Sequence, residues 1–257
     1  MTRGYWDIHN HILPGVDDGS SCMDETMELL GAEYEQGIRN IIFTPHFRPR
    51  MFEVPADDRE MMYHRTVAEA RESFPDMSFY LGCEYFVSNR MMKDVRDPRC
   101  RMAGTRIILM EFTTATPFQD ILNAVETAVG AGCLAIVAHP ERYRCLHSDT
   151  YRITCLRSRG AWIQINAGSV IGRGGRMLKH FCRDLLKGDL VDFIASDAHS
   201  MDHRPVEMDR CLRFVQKKFG TEKAEQLFEE NQRRVFAEAA EQAQTDLISG
   251  KKDLKLD

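Results

Sequence analysis

Leu134-Ala135-Ile136-Val137-Ala138-His139-Pro140 is an unbroken apolar run that stops at a histidine and a proline. A run so short and continuous predicts a strand covered on both faces, as in a parallel sheet, rather than one with a solvated side. Ile107-Ile108-Leu109-Met110-Glu111 repeats the pattern. Working outward, β-rich runs at residues 5–8, 40–44, 77–81, 161–165 and 191–195 join 106–111 and 134–138 to give seven candidate strands. Helical periodicity fills the spaces between them, at 24–37 (apolar Met27, Leu30, Tyr34 and Ile38), 57–74, 118–131, 150–159 and 177–187. Strand and helix in alternation predict parallel strands with crossover helices. The fold class expected is therefore α/β, a closed or nearly closed β/α barrel.

Composition narrows the setting. The 257 residues carry 34 basic and 39 acidic side chains, a formal charge of −5, and the basic residues are scattered rather than striped, so no nucleic-acid partner is expected. Residues 1–11 lack an apolar signal core and no window approaches eighteen consecutive apolar residues, which predicts a cytoplasmic protein without membrane insertion. Eight cysteines form no CxxC pair and read as reduced, mostly buried thiols. Residues 1–250 are expected to form a single domain, with 251–257 a charged tail.

The polar residues carry the chemistry through their positions. Six of the candidate strands end in groups able to bind metal: His9 and His11, then His46, Glu84, Glu111, His139, and finally Asp197 with His199. In a parallel β/α barrel the C-terminal strand ends converge on one face, so residues far apart in sequence meet there. His9 and His11, two apart, would point the same way on a regular strand, and Asp197 and His199 repeat that spacing. Clustered carboxylates without a cation would repel one another and suffer desolvation. Imidazole with carboxylate and no thiolate suits Mn, Fe or Zn. Asp18, in Gly15-Val16-Asp17-Asp18-Gly19, brings the candidates to nine, too many for one tetrahedral ion, so two or three divalent ions are expected.

These segments resemble the polymerase-and-histidinol-phosphatase (PHP) family, and within it the bacterial protein-tyrosine-phosphatase branch associated with capsule and exopolysaccharide synthesis. The resemblance rests on Asp7-Ile8-His9-Asn10-His11-Ile12-Leu13-Pro14-Gly15-Val16-Asp17-Asp18-Gly19. Thr44-Pro45-His46, Gly82-Cys83-Glu84, His139-Pro140-Glu141-Arg142-Tyr143, Asn166-Ala167-Gly168-Ser169 and Ser196-Asp197-Ala198-His199 follow in family order, over roughly residues 5–210. It implies a distorted seven-stranded (β/α)7 TIM-like barrel and metal ligands at His9, His11, Asp18, His46, Glu84, Glu111, His139, Asp197 and His199. It further implies phosphate-binding roles for Arg142 and Arg204, consistent with the match between a guanidinium fork and phosphate oxygens. The implied substrate is a phosphotyrosyl protein, a tyrosine kinase of polysaccharide export, attacked by a metal-bridging hydroxide. Asn166 reads equally as a contact supporting the site or as a cap, and His64, His147, His180 and His203 read as solvated or structural.

Three other readings compete. Cys100-Arg101-Met102-Ala103-Gly104-Thr105-Arg106 has the C-x5-R spacing of cysteine-dependent phosphatases, but it precedes a strand rather than a helix whose N-terminus could cradle phosphate. Another phosphoesterase of the same family, such as a histidinol-phosphate phosphatase or a nuclease-like member, would share the fold. A non-catalytic module would use the metals for stability alone.

Overall fold

The apolar runs are parallel strands in a computed structural model of the protein, which describes residues 4–48, 50–52 and 54–236. The order is β1 (Tyr5–Asp7), α1 (Met23–Glu35), β2 (Ile38–Phe43), β3 (His46–Phe47), α2 (Ala56–Ser73), β4 (Ser78–Leu81), β5 (Glu84–Phe86) and the short α3 (Met91–Asp94). There follow β6 (Ile107–Glu111), α4 (Phe118–Gly130), β7 (Leu134–Ala138), α5 (Thr150–Ser158), β8 (Ala161–Asn166), α6 (Ala167–Ile171), α7 (Arg176–Lys187) and β9 (Phe193–Ala195). The helices α8 (Met208–Phe219) and α9 (Thr221–Glu225) complete the order, with a π-helical turn at Gln226–Glu230. The expected tail, 251–257, lies outside the described residues.

Seven uninterrupted strands were expected, whereas the described residues form nine strand segments in two sheets, β1-β2-β4 and β3-β5-β6-β7-β8-β9. Two of the seven passes are broken, and the residues at the breaks explain why. Pro45 has no N–H to give to a ladder, and Thr44 turns to Asn10, donating from its backbone N (3.1 Å) and from Oγ1 (3.0 Å) to the Asn10 carbonyl. At the second break a Cβ on Gly82 would come within 3.1 Å of the Met102 backbone, so the chain passes close enough that a larger residue would press on it. Beyond the breaks β3 pairs with β5, setting His46 opposite Glu84. At the far edge Asn10 bridges Ala198 in parallel, with Asp197 N donating to His9 O at 2.7 Å.

Both faces of these strands are covered, as the continuous apolar runs predict. Ile136 and Ala138 join Trp6, Ile8, Ile42, Leu109, Phe193 and Ala195 in one apolar cluster, while Ala135 and Val137 join the larger cluster under the helices. The period-two alternation thus separates an inner from an outer core. α1 buries Thr26, Leu29, Leu30 and Glu33, with Met27 and Tyr34 only half-buried, so the face is rotated from the one read off the apolar residues. Among the described residues no helix is long and apolar enough to cross a membrane.

Candidate metal centre

The strand ends bring all nine predicted ligands together. Glu84, at the start of β5, lies at the middle: its Oε1 is 2.8 Å from His139 Nε2 and 3.2 Å from His9 Nε2, and its Oε2 is 2.9 Å from His46 Nδ1 and 3.5 Å from His11 Nε2. Asp197 Oδ1 stands 3.6 Å from both His9 Nε2 and His11 Nε2. Glu111, closing β6, is 3.6 Å from His46, and Asp18 on the rim is 3.3 Å from His46 Nε2 and 3.7 Å from His199 Nε2. Three overlapping groups, His11/Asp18/His46/His199, His9/His11/Glu84 and His46/Glu84/Glu111, each hold their ligand atoms within 4.8 Å of one another and could share a cation. His139 (φ 32°) and Asp197 (φ 54°) are in the left-handed region that non-glycine residues seldom occupy, so local backbone strain turns these two side chains at the strand ends.

A hydrogen-bonded frame leaves the metal-facing atoms bare. His9 Nδ1 meets Gln164 Oε1 at 2.9 Å, Gln164 Nε2 donates to Asn166 Oδ1 (2.9 Å), and Asn166 Nδ2 donates to Asp197 Oδ2 (2.6 Å). His11 Nδ1 lies 2.6 Å from Asp17 Oδ2, and His199 Nδ1 is 3.0 Å from the Asp197 carbonyl. Holding each ring through one nitrogen presents the other nitrogen's lone pair. Accordingly His9 Nε2, His11 Nε2, His46 Nδ1, Glu111 Oε2 and Asp197 Oδ1 are buried without a hydrogen bond. Buried polar atoms are rarely left so, and five gathered among these side chains fit divalent cations. The Asp17–Gly19 turn is pressed against this frame: a Cβ on Gly19 would fall 1.9 Å from the His11 carbonyl.

The electrostatics make the same demand. Burial opposes charge on His46, but Asp18, Glu84 and Glu111 outweigh it and pull the ring up to about 11. Burial likewise opposes charge on His11, yet Asp17 and Glu84 carry it up to about 9. Glu84 and Asp197 are held well below the usual carboxylate range despite burial, the first by His9, His11, His139 and His46, the second by Arg142, His9 and Arg204. Burial and Glu84 together push Glu111 up to about 7. Carboxylates this close require positive charge beside them, which divalent cations on the same atoms would supply.

Arg142 and Arg204, both about one-third exposed, meet at Asp197: Arg142 Nη2 is 2.8 Å from Oδ2, and Arg204 pairs with the same oxygen. Arg204 Nη1 is also 2.6 Å from His199 Nε2. The two arginines wall a cavity of about 160 Å³ beside Asp197. The sequence reading left Asn166 open and did not assign Asp17 or Gln164 a role. Gln164 and Asn166 stand two and four residues beyond Trp162, which packs on the inner cluster, so strand alternation alone would have placed them inward. His64, His180 and His203 are exposed and His147 half-buried.

The family model described as capsular polysaccharide synthesis, CpsB/CapC, matches residues 5–237. The chain belongs to the CpsB/CapC family. Tyrosine-protein phosphatase CpsB of Streptococcus pneumoniae is 32% identical over 236 residues, 90% of this chain and 97% of that protein. A solved structure from a pair comprising YwqE of Bacillus subtilis and CpsB of Streptococcus pneumoniae, described as metal-dependent tyrosine phosphatases, has a TM-score of 0.79 at 30% identity and covers 85% of this chain and 89% of that one. A phosphotriesterase homology protein of Escherichia coli shares the fold alone, with a TM-score of 0.61 at 13% identity over 92% of this chain and 99% of that one.

The C-x5-R match is not built as a nucleophile loop. Cys100 is 1% exposed, ends a short 3-10 turn (Pro98–Cys100), and burial pushes its thiol far above the usual range, the opposite of an activated nucleophile. Cys100→Ser is expected to leave kcat nearly unchanged, with on the order of 1 kcal/mol lost from stability as a hydroxyl replaces a buried thiol. Loss of turnover in a folded, metal-loaded Cys100→Ser protein would contradict this. All eight cysteines are unpaired, and five of them are buried.

A second buried acid lies below the site. Glu33 of α1 is fully buried beside Asp7, which accepts from Ser196 Oγ (2.6 Å) and Asn10 Nδ2 (3.1 Å). Burial, and then Asp7, raise the Glu33 carboxyl well above its ordinary value. A folded-state pKa above the unfolded one gives stability that is complete below about pH 4 and lost as pH rises through the folded value. Glu33→Gln keeps the shape and removes the titration. The variant should match the native protein near pH 4 and exceed it at pH 8 by on the order of 1 kcal/mol, about 2–4 °C in Tm, checked by paired thermal melts.

Proposed function

We propose that the chain is a metal-dependent protein-tyrosine phosphatase acting on a phosphotyrosyl protein of capsule or exopolysaccharide synthesis, a tyrosine kinase of polysaccharide export being the substrate that fits best. The observation that carries this reading is the juxtaposition of an imidazole–carboxylate cluster holding five orphaned ligand atoms with two arginines converging on Asp197. Its CpsB and YwqE relatives are tyrosine phosphatases by name, and the first is matched over nearly its whole length. We read the seven passes as one distorted (β/α)7 barrel and one domain, with the Asn10–Ala198 bridge between its first and last members.

His9, His11, Asp18, His46, Glu84, Glu111, His139, Asp197 and His199 would hold two or three divalent ions, Mn foremost, with Fe or Zn as alternatives. When bound, such ions supply Lewis-acid stabilisation of phosphoryl charge and a nucleophile at neutral pH. The protein's own residues do the rest. Arg142 and Arg204 would take phosphoryl oxygens from the cavity side, where they neutralise a dianion. Asp197 orients both guanidiniums, and the Gln164–Asn166 chain fixes Asp197 in turn. Phenoxide, with a pKa of roughly 10, leaves more readily than an alkoxide, so the leaving group asks less of a proton donor. The test is turnover of a phosphotyrosyl peptide against histidinol phosphate: strong preference for the peptide supports the proposal, and the reverse preference assigns a different phosphoesterase.

A further inference from the structure

A second cavity, of about 270 Å³, is bordered by Phe52. The Phe52 ring stacks on His46, with centroids 5.1 Å apart and planes within 8°, so one ring touches both this cavity and a candidate metal ligand. Phe47 and Val54 supply apolar wall, and Arg59, Arg90 and Arg99 bring three positive charges. Two carboxylates in the lining are already engaged. Asp97 takes both Nε and Nη2 of Arg99, at 2.9 and 2.7 Å, and Asp94 accepts from the Tyr85 hydroxyl at 3.1 Å with Arg90 at 3.4 Å.

Arg59 is the residue left over. Its side chain is 6% exposed, its Nη2 donates to the Arg99 carbonyl at 2.9 Å, and its Nε has no hydrogen-bond partner. Among the described residues no carboxylate lies within 4 Å of it. The carboxylate that feels its charge, Asp97, is already bound by Arg99, so the buried guanidinium has no anion of its own within hydrogen-bond reach. Burying a charge costs several kcal/mol, and a neutral ligand would not relieve that cost. An arriving carboxylate would accept from Nε and balance the three-against-two charge of the described lining residues.

Resting on the phosphatase reading above, we propose that this cavity binds a carboxylate side chain of the phosphotyrosyl substrate, two to four residues from the phosphotyrosine. An extended chain advances about 3.3 Å per residue, so two to four residues reach roughly 7–13 Å from the phosphotyrosine. Arg59 is the buried anchor and Arg90 the exposed rim contact. The site therefore selects tyrosines in acidic stretches, a preference the metal centre alone cannot express.

The experiment uses the metal-loaded full chain and a set of phosphotyrosyl peptides carrying Glu or Gln at each position from one to four on either side. In the native protein Glu at a position two to four away should lower KM about tenfold relative to Gln, with kcat unchanged. In Arg59→Gln that Glu-to-Gln ratio should fall to about one, and Arg90→Glu, at an exposed site, should reduce or invert it. The readout is a ratio on one enzyme, so a general loss of activity does not imitate it. Fluorescence anisotropy with the unphosphorylated peptides gives the same ratio without turnover. Equal KM and equal binding for Glu and Gln peptides at every position would overturn the proposal, as would a preference unaltered in both variants. Absence of any phosphotyrosyl hydrolysis would instead count against the phosphatase reading, while the anisotropy ratio still decides the subsite.

Discussion

Glu84→Ala is expected to lower kcat by about 1,000-fold or more and to reduce the metal content of the purified protein. Glu84 is 1% exposed and is the only predicted ligand within 3.5 Å of four of the five histidines, His9, His11, His46 and His139. Its loss removes a ligand shared by two of the three candidate cation groups. Several kcal/mol of transition-state stabilisation depend on those cations, and each 1.36 kcal/mol is tenfold in rate. Glu84→Gln keeps the volume and one acceptor oxygen but not the charge, so it should be nearly as damaging. Steady-state kinetics together with metal analysis check this. Turnover within an order of magnitude of the native protein would mean that Glu84 holds no catalytic metal.

Arg142→Ala and Arg204→Ala should each cost on the order of 100- to 1,000-fold in kcat/KM, the range for removing one preorganised donor to a developing charge. Lysine should restore only part of it, because an ammonium cannot reproduce the two-pronged contact of a guanidinium. The two losses should not add, since both side chains lean on the same oxygen of Asp197 and removing one frees Asp197 to move. Kinetics on the two single variants and the double variant test this. Full activity in both single variants would remove the arginines from the phosphate site.

The β/α order was legible because its signal is local. Ala135 to Ala138 must be covered on both faces whatever surrounds them, and β7 has the predicted bounds. The breaks at Thr44–Pro45 and Gly82–Cys83 were not foreseen, although Pro45 and Gly82 were in plain view. Whether a proline ends a strand or merely interrupts it depends on which neighbour the next residues pair with, and that is a property of the sheet. The ligands were readable because a histidine or acid at a strand end has few other uses when several recur in order.

The supporting residues were harder to find, since their chemistry is ordinary. Asp17 and Asp18 are adjacent and identical in type, yet Asp17 is buried against His11 while Asp18 is about half exposed at the rim. Only the turn's geometry, pressed close at Gly19, tells them apart. Glu33 shows the limit of hydrophobic periodicity. Thr26, Leu29, Leu30 and Glu33 follow helical spacing on the buried face of α1, but an acid at the last position reads as solvent-facing until Asp7 is placed opposite it. Arg59 escaped for the same reason, as one of three arginines on a polar helix.

The most direct test of the central claim is hydrolysis of a phosphotyrosyl peptide by metal-stripped protein, with Mn, Fe, Zn and Mg restored one at a time. The account predicts no turnover without metal and recovery with a transition metal, Mn above all, while histidinol phosphate is left largely untouched. A folded chain that binds two or three ions and hydrolyses no phosphotyrosyl peptide with any of them would contradict it.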